Sequence, residues 1–253
     1  MTVVRTEPGT VWRLVLDRPE TRNAASASML AEVSSGLARA AEDDATRVVL
    51  LSGAGCDFCA GADLGELEAA AGTDGAVDYG ERFEEVLRAI EEHPLPVVGV
   101  IRGAALGAGC QLAVACDLAV AAADATLGIP SGRLGIVIGH ENIERLVASV
   151  GPKRAAELLL AGRTVSGEEA AAWGLVNEAV PPDALEERAA QIADRIARSA
   201  PISVRGSKAG IRSALGGDRA RFEELAGAAF GSEDLREGVR AFRERRPPRF
   251  RGA

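Results

Sequence analysis

Short β-branched runs alternate with segments of helical apolar spacing along the first half of the chain, and this alternation restricts the fold more than any other feature. Trp12–Asp17, Arg47–Ser52 and Val97–Ile101 read as strands, with Leu118–Ala121 as a shorter one. Between them, Ser26–Ala41 carries Met29, Val33 and Leu37, and Asp78–Glu92 carries Phe83, Val86, Leu87 and Ile90, each set on one helix face. Strands separated by helices of this length predict α/β units rather than a sandwich.

The second half reads mostly as helix. Pro152 sits in the favoured first turn of a helix that Gly162 stops. Ser166 and Glu169 have capping-box spacing, and Gly174 closes the short helix they start. Asp183 is expected to cap a helix reaching about Ser199, and Ser232 to cap a last helix running toward Arg246 before Pro247-Pro248. There is no internal repeat and no low-complexity linker longer than the Ala71–Gly75 cluster. Residues 1–180 are expected to form the core, and residues 181–253 a helical region of the same unit.

Composition removes several classes of function. Hydrophobic residues at 47% permit a sizeable core, and aromatics at 4% require it to be aliphatic. A formal charge of −8 argues against nucleic acid or an anionic membrane as partner, but leaves room for an anionic ligand held by local arginines and N–H groups. The N-terminus lacks a basic segment followed by an apolar run, and the most apolar region, Gly103–Ala123, is interrupted by Gln111 and Asp117, so a cytoplasmic protein is expected. Cys56 and Cys59 form a C-x-x-C with no second pair to complete a zinc site, so neither metal nor redox chemistry is expected.

The chemistry points to two glycine- and alanine-rich turns, each just beyond a strand. One is Cys59-Ala-Gly-Ala-Asp63-Leu64; the other is Gly103-Ala-Ala-Leu-Gly107-Ala-Gly109-Cys-Gln111, running into a helix. Small residues allow close backbone approach, and a helix N-terminus offers free N–H donors to a negative oxygen. Gly107-x-Gly109 lacks the third glycine of a dinucleotide loop, and no lysine follows as in a phosphate loop. Two such donors converging on one carbonyl form an oxyanion hole.

These turns belong to a longer series of matches. Arg18-Pro…Asn23-Ala24, Phe58–Leu64, Pro96-Val-Val…Gly103–Leu112…Cys116-Asp117, Leu134-Gly-Ile, Gly162-Arg…Gly174-Leu-Val-Asn177 and the closing Phe242…Arg246-x-Pro248-x-Phe250 resemble, in order, the crotonase superfamily, also called the enoyl-CoA hydratase/isomerase family. The resemblance implies a spiral of ββα units and a helical C-terminal region that assembles a homotrimer or a dimer of trimers. It implies an acyl-CoA thioester as partner, with coenzyme A part of the substrate and no tightly bound cofactor or metal. The oxyanion donors would be the N–H groups of Ala62 and Ala108. Asn23, Ala24, Ala60, Ala62, Asp63 and Leu64 would border the coenzyme A, and Arg22 would either approach its phosphates or remain a solvated surface residue.

The same resemblance places the two glutamates of the family's hydratases at Gln111 and Ser131, so both carboxylates are replaced. An amide cannot take up a proton at useful pH, and a serine needs activation. Other members carry an aspartate where this chain has Gly139, which puts His140 and Glu141 beside the site. Each is read either as a base or as an ordinary residue of a helix start, a polar cap and a favourable first-turn charge. Glu66 and Glu68 lie in a segment expected to be mobile, where some members of the family recruit catalysts, and His93 reads as a helix-end residue. Three readings follow: an enzyme stabilising a thioester enolate for isomerisation, decarboxylation or related chemistry; a hydratase with relocated acid–base groups; and a non-catalytic acyl-CoA-binding protein.

Overall fold

The computed structural model describes residues 2–253, apart from the side chains of residues 76 and 77. The four expected strands are present within a residue or so of their expected ends, and five short ones join them. In chain order the strands are β1 (Val4–Glu7), β2 (Val11–Leu16), β3 (Val48–Gly53), β4 (Val97–Ile101), β5 (Ala104–Leu106), β6 (Leu118–Ala122), β7 (Thr126–Gly128), β8 (Thr164–Ser166) and β9 (Glu178–Val180). The helices are α1 (Ala27–Glu42), α2 (Leu64–Ala70), α3 (Gly75–Glu92), α4 (Ala108–Ala115), α5 (His140–Leu159), α6 (Gly167–Trp173), α7 (Leu185–Ala197), α8 (Pro201–Ala214), α9 (Arg219–Gly231) and α10 (Glu233–Glu244).

Two sheets organise the chain. The larger has the order β1-β2-β3-β4-β6-β9, with β1 antiparallel to β2 and every other pair parallel. The smaller has the order β5-β7-β8. The chain leaves β4 in the large sheet, turns at Gly103, enters β5 in the small sheet, and then forms α4. The passage from β6 to β7 repeats the step, and after β3 the single bridge Cys59↔Ala105 does the same work. Repetition of a long strand, a short strand and a helix is the ββα spiral. It sets the first turn directly beside the second.

The core is aliphatic, as the low aromatic content requires. Val48, Val49, Leu50 and Leu51 are all buried, a continuous apolar run that fits a parallel strand covered on both faces. Full burial of each such leucine contributes about 1.5–3 kcal/mol relative to exposure. Helix α7 packs against β2, β3, β4 and β6 through the buried Leu185, Ala189 and Ala193. Helix α8 packs on α9, and α9 on α10.

Local signals hold at several helix starts. Ser26 accepts from Met29 N, Ser166 from Glu169 N and Ser232 from Leu235 N, each capping its helix. The segment holding Glu66 and Glu68 forms the short helix α2, capped by Asp63. One expectation needs correction. Asp183 does not cap α7, because a 3-10 turn, Pro182–Ala184, intervenes and Ala184 takes the cap position. Pro152 begins a helical stretch as expected, and Gly151 (φ 76°) marks the kink where it meets the helix opened at His140.

A buried cation fastens α8 to this core. Lys208 Nζ donates to Ile90 O and Leu95 O, both at 3.1 Å, and to Asp117 Oδ2 at 2.7 Å. Asp117 also accepts from Val97 N at the start of β4. Truncating one partner of such a pair strands the other charge, so Lys208→Ala is expected to lower unfolding stability by about 3–5 kcal/mol. Chemical denaturation of the variant checks this; a loss under about 1 kcal/mol would mean the pair behaves as a surface bridge.

Candidate functional site

The two turns meet through backbone pairing. Phe58 N donates to Arg102 O, Cys59 N to Ala104 O and Leu106 N to Cys59 O, so residues 58–60 run alongside β5. On their other side, Ala60 N donates to Arg22 O, Ala25 N to Gly61 O and Asp63 N to Ala25 O. Residue 62 thus lies between the segment at Ala25 and the start of α4. Gly107 (φ 53°, ψ −112°) occupies a backbone region closed to L side chains, and a Cβ there would lie 3.8 Å from Gly61 Cα.

Neither expected donor is used internally. Among the described residues no backbone acceptor pairs with the N–H of Ala62 or of Ala108. Ala108 is the first residue of α4, where no intrahelical partner exists, and its cap Gly107 supplies no side chain. Gly107 O accepts from Gln111 N, which turns the opposite edge of that peptide, the Ala108 N–H, away from the helix. An N–H left free at a helix start is a donor suited to an oxygen that carries negative charge.

Around the first turn, the candidate coenzyme A residues are held by specific side-chain bonds. Asn23 is fully buried at φ 56°; its amide donates to Ala54 O and Asp57 O, and its Oδ1 accepts from Arg18 N. Its side chain is therefore committed to the loop, and so are the neighbouring backbone groups: Asn23 N donates to Arg18 O, Ala24 N to Thr21 O, and Ala24 O accepts from Arg18 Nη1. Asp63 caps α2 through Gly65 N and Glu66 N and accepts from Arg18 Nη1 at 2.9 Å. That guanidinium holds the Asp63 carboxyl below its ordinary value. Arg22 is forked onto Asp57, with Nε at 2.7 Å and Nη2 at 3.0 Å, and this hydrogen bonding depresses Asp57 in turn. Ala60 is half-buried and Leu64 is exposed at the head of α2.

The candidate proton-transfer residues are placed differently from one another. Gln111 is buried on α4, one turn from Ala108. Ser131 is half-buried at the start of a 3-10 turn, Ser131–Leu134. His140 is exposed at the first position of α5, 3.8 Å from Glu144, and Gly139 takes the cap position. Glu141 turns toward α3 and its own helix, with Arg88 Nη2 at 3.2 Å and Arg145 Nη2 at 3.5 Å. Hydrogen bonding from Glu84 and Arg88 holds its carboxyl below the ordinary range, which makes it a poorer proton acceptor. Glu66 accepts from Ala27 N at the start of α1. His93 is buried, its ring nitrogens on Leu37 O and Leu95 O.

Arg18, Asp57 and Tyr79 escape a reading made along the sequence. Arg18 stands in a motif, but only the folded chain reveals that it serves Asp63. Tyr79, the single tyrosine, donates to Ala25 O from α3 at 2.8 Å and carries no local signal at all. The C-x-x-C cysteines are free, with Cys56 exposed and Cys59 buried; burial pushes the Cys59 thiol up to about 11. Among the described residues no group of three or more metal-ligating side chains comes together, and no helix is long and apolar enough to cross a membrane.

Comparison with known proteins identifies the family. The family described as enoyl-CoA hydratase/isomerase matches residues 6–253. The chain belongs to that family. A 2,3-dehydroadipyl-CoA hydratase from Escherichia coli (strain K12) is 34% identical over 243 residues, 94% of each chain. A crotonyl-CoA hydratase from Syntrophomonas wolfei is 34% identical, over 94% of this chain and 93% of that one. The crystal structure of an enoyl-CoA hydratase from Bacillus anthracis has a TM-score of 0.92 at 35% identity, over 100% of both chains. Membership in the enoyl-CoA hydratase/isomerase family makes the chain an acyl-CoA-processing enzyme with the crotonase fold and a CoA thioester as substrate.

Proposed function

We propose that this member stabilises a thioester enolate between the Ala62 and Ala108 N–H groups and uses it for isomerisation, decarboxylation or a related enolate reaction. The observation that carries the reading is the pair of uncommitted N–H donors on two turns locked side by side, with an amide where a hydratase would have a carboxylate. In this reading Arg22, Asn23, Ala24, Ala60, Ala62, Asp63 and Leu64 border the coenzyme A, partly through backbone groups. Gln111 and Ser131 face the acyl carbons. Proton transfer falls to the start of α5 beyond Ser131, with His140 the better base and Glu141 the weaker, since its carboxyl is engaged by Arg88.

Calorimetric titration is expected to show acetyl-CoA or a longer acyl-CoA binding more tightly than free pantetheine; no binding of any CoA species overturns the reading. A panel of CoA esters then separates the chemistries. Turnover of an enoyl ester to its hydroxy product favours a hydratase with relocated groups, and binding throughout without turnover favours an acyl-CoA carrier.

We infer further that residues 181–253 assemble a homotrimer or a dimer of trimers. Leu185 from this region is absorbed into the core, but Phe230 and Phe242 remain 81% and 86% exposed. With Phe222, Leu225, Leu235 and Val239 they line an open groove of about 600 Å³. Apolar side chains of this size left in water favour burial against another copy. Light scattering at micromolar concentration is expected to give three or six times the 26.2 kDa chain mass; the chain mass itself would refute assembly.

A further inference from the structure

We propose that Tyr79 is a positioning residue for the oxyanion hole, fixing the direction of the Ala62 N–H through Ala25; this rests on the oxyanion reading above. The argument begins with one planar peptide. Gly61 C=O and Ala62 N–H belong to the same trans peptide and point in opposite directions. Ala25 N donates to Gly61 O at 2.8 Å, so the position of Ala25 decides where the Ala62 N–H points. Donation to Gly61 O also polarises that peptide and strengthens its N–H as a donor.

Ala25 is held in turn by its own carbonyl, which accepts from Asp63 N at 3.0 Å and from Tyr79 Oη at 2.8 Å. The first of these bonds lies within the turn itself and moves with it. The second is an external anchor. Neighbouring backbone groups have anchors elsewhere: Arg18 donates to Ala24 O, and Glu66 accepts from Ala27 N. Tyr79 alone among these comes from α3, and α3 packs on α4, the helix whose first residue is Ala108. Its hydroxyl therefore references the first donor to the element that carries the second. Burial raises the ionisation of the phenol further above its ordinary range, so it stays a donor at working pH.

The test is the carbonyl stretch of a bound thioester labelled with ¹³C at its carbonyl, read by difference infrared spectroscopy. In the native protein the band is expected to shift down on binding. In Tyr79→Phe that shift is expected to fall by about half, and kcat by about five- to tenfold with KM nearly unchanged, the signature of lost transition-state stabilisation. Because the chain has one tyrosine, growth on 3-fluorotyrosine alters position 79 alone. The fluorinated phenol is a stronger donor and should enlarge the shift, which a purely space-filling ring would leave unchanged. A full native shift in Tyr79→Phe overturns the role of Tyr79 and leaves the oxyanion hole standing. A native protein whose bound carbonyl does not shift overturns the oxyanion reading itself. Should Tyr79→Phe fail to fold, the fluorinated protein decides: a band displaced from the native position supports the role, and an unchanged one overturns it.

Discussion

The Gln111→Glu, Ser131→Glu double variant is expected to hydrate crotonyl-CoA about 10²–10⁴ times faster than the native chain, the range that general acid–base help contributes. An oxyanion hole polarises the thioester, which makes the β-carbon electrophilic, but it moves no proton. Hydration needs a group that takes a proton from water and one that delivers a proton to the α-carbon. Gln111 is buried one turn beyond Ala108 and has the shape of glutamate, so Gln111→Glu changes charge and proton capacity with little change in volume. Burial there would raise the new carboxyl toward neutral pH, where it can exchange protons usefully. Ser131→Glu adds bulk at a half-buried turn whose following residues are exposed, so the longer side chain has room to settle. Steady-state hydration of crotonyl-CoA, followed by loss of the enoyl absorbance, checks the gain. A native chain that already turns over at about 10³ s⁻¹ would sink the argument and move the catalytic carboxylate elsewhere, to Glu66 or Glu141.

Gly109→Ala should be severely damaging to the site. A Cβ at Gly109 would lie 2.0 Å from Cys59 O and 2.9 Å from Cys59 C, and backbone rather than a flexible side chain must move to relieve it. Cys59 O is the acceptor for Leu106 N, so the displacement separates the first turn from β5 and α4 together. The Ala62 and Ala108 donors then no longer meet on one oxygen. Loss of one oxyanion donor costs about 10²–10³ in kcat, and kcat/KM for the native reaction is expected to fall by that order. Gly80→Ala is the matched control. Nothing lies within 4 Å of a Cβ there, and alanine in the middle of α3 should stabilise the fold by about 0.5–1 kcal/mol without touching turnover. Native kcat/KM in Gly109→Ala would mean that the two turns are not the reacting centre.

What the sequence determined by itself was whatever depends on neighbours along the chain. Ser26, Ser166 and Ser232 cap helices because an Oγ reaches an N–H three residues on, whatever the rest of the fold does. Strands β2, β3, β4 and β6 are long enough for their β-branched runs to show. The family was legible because its motif residues keep their order along the chain. By contrast β5, β7, β8 and β9 have three residues each, too few for any period, and exist only because partners far along the chain pair with them, as Leu127 does with Val165. Asp183 had the spacing of a cap but lost that role to a 3-10 turn, since nearby propensity yields to the path the chain must take. Tertiary structure alone decided that Glu141 spends its carboxylate on Arg88, that Asp63 answers to Arg18, and that Tyr79 reaches Ala25 from another helix. Above all, the direction of the Ala62 N–H follows from a hydrogen bond between Ala25 and Gly61. A peptide plane is turned by its partners in space, and no run of adjacent residues encodes where those partners will stand.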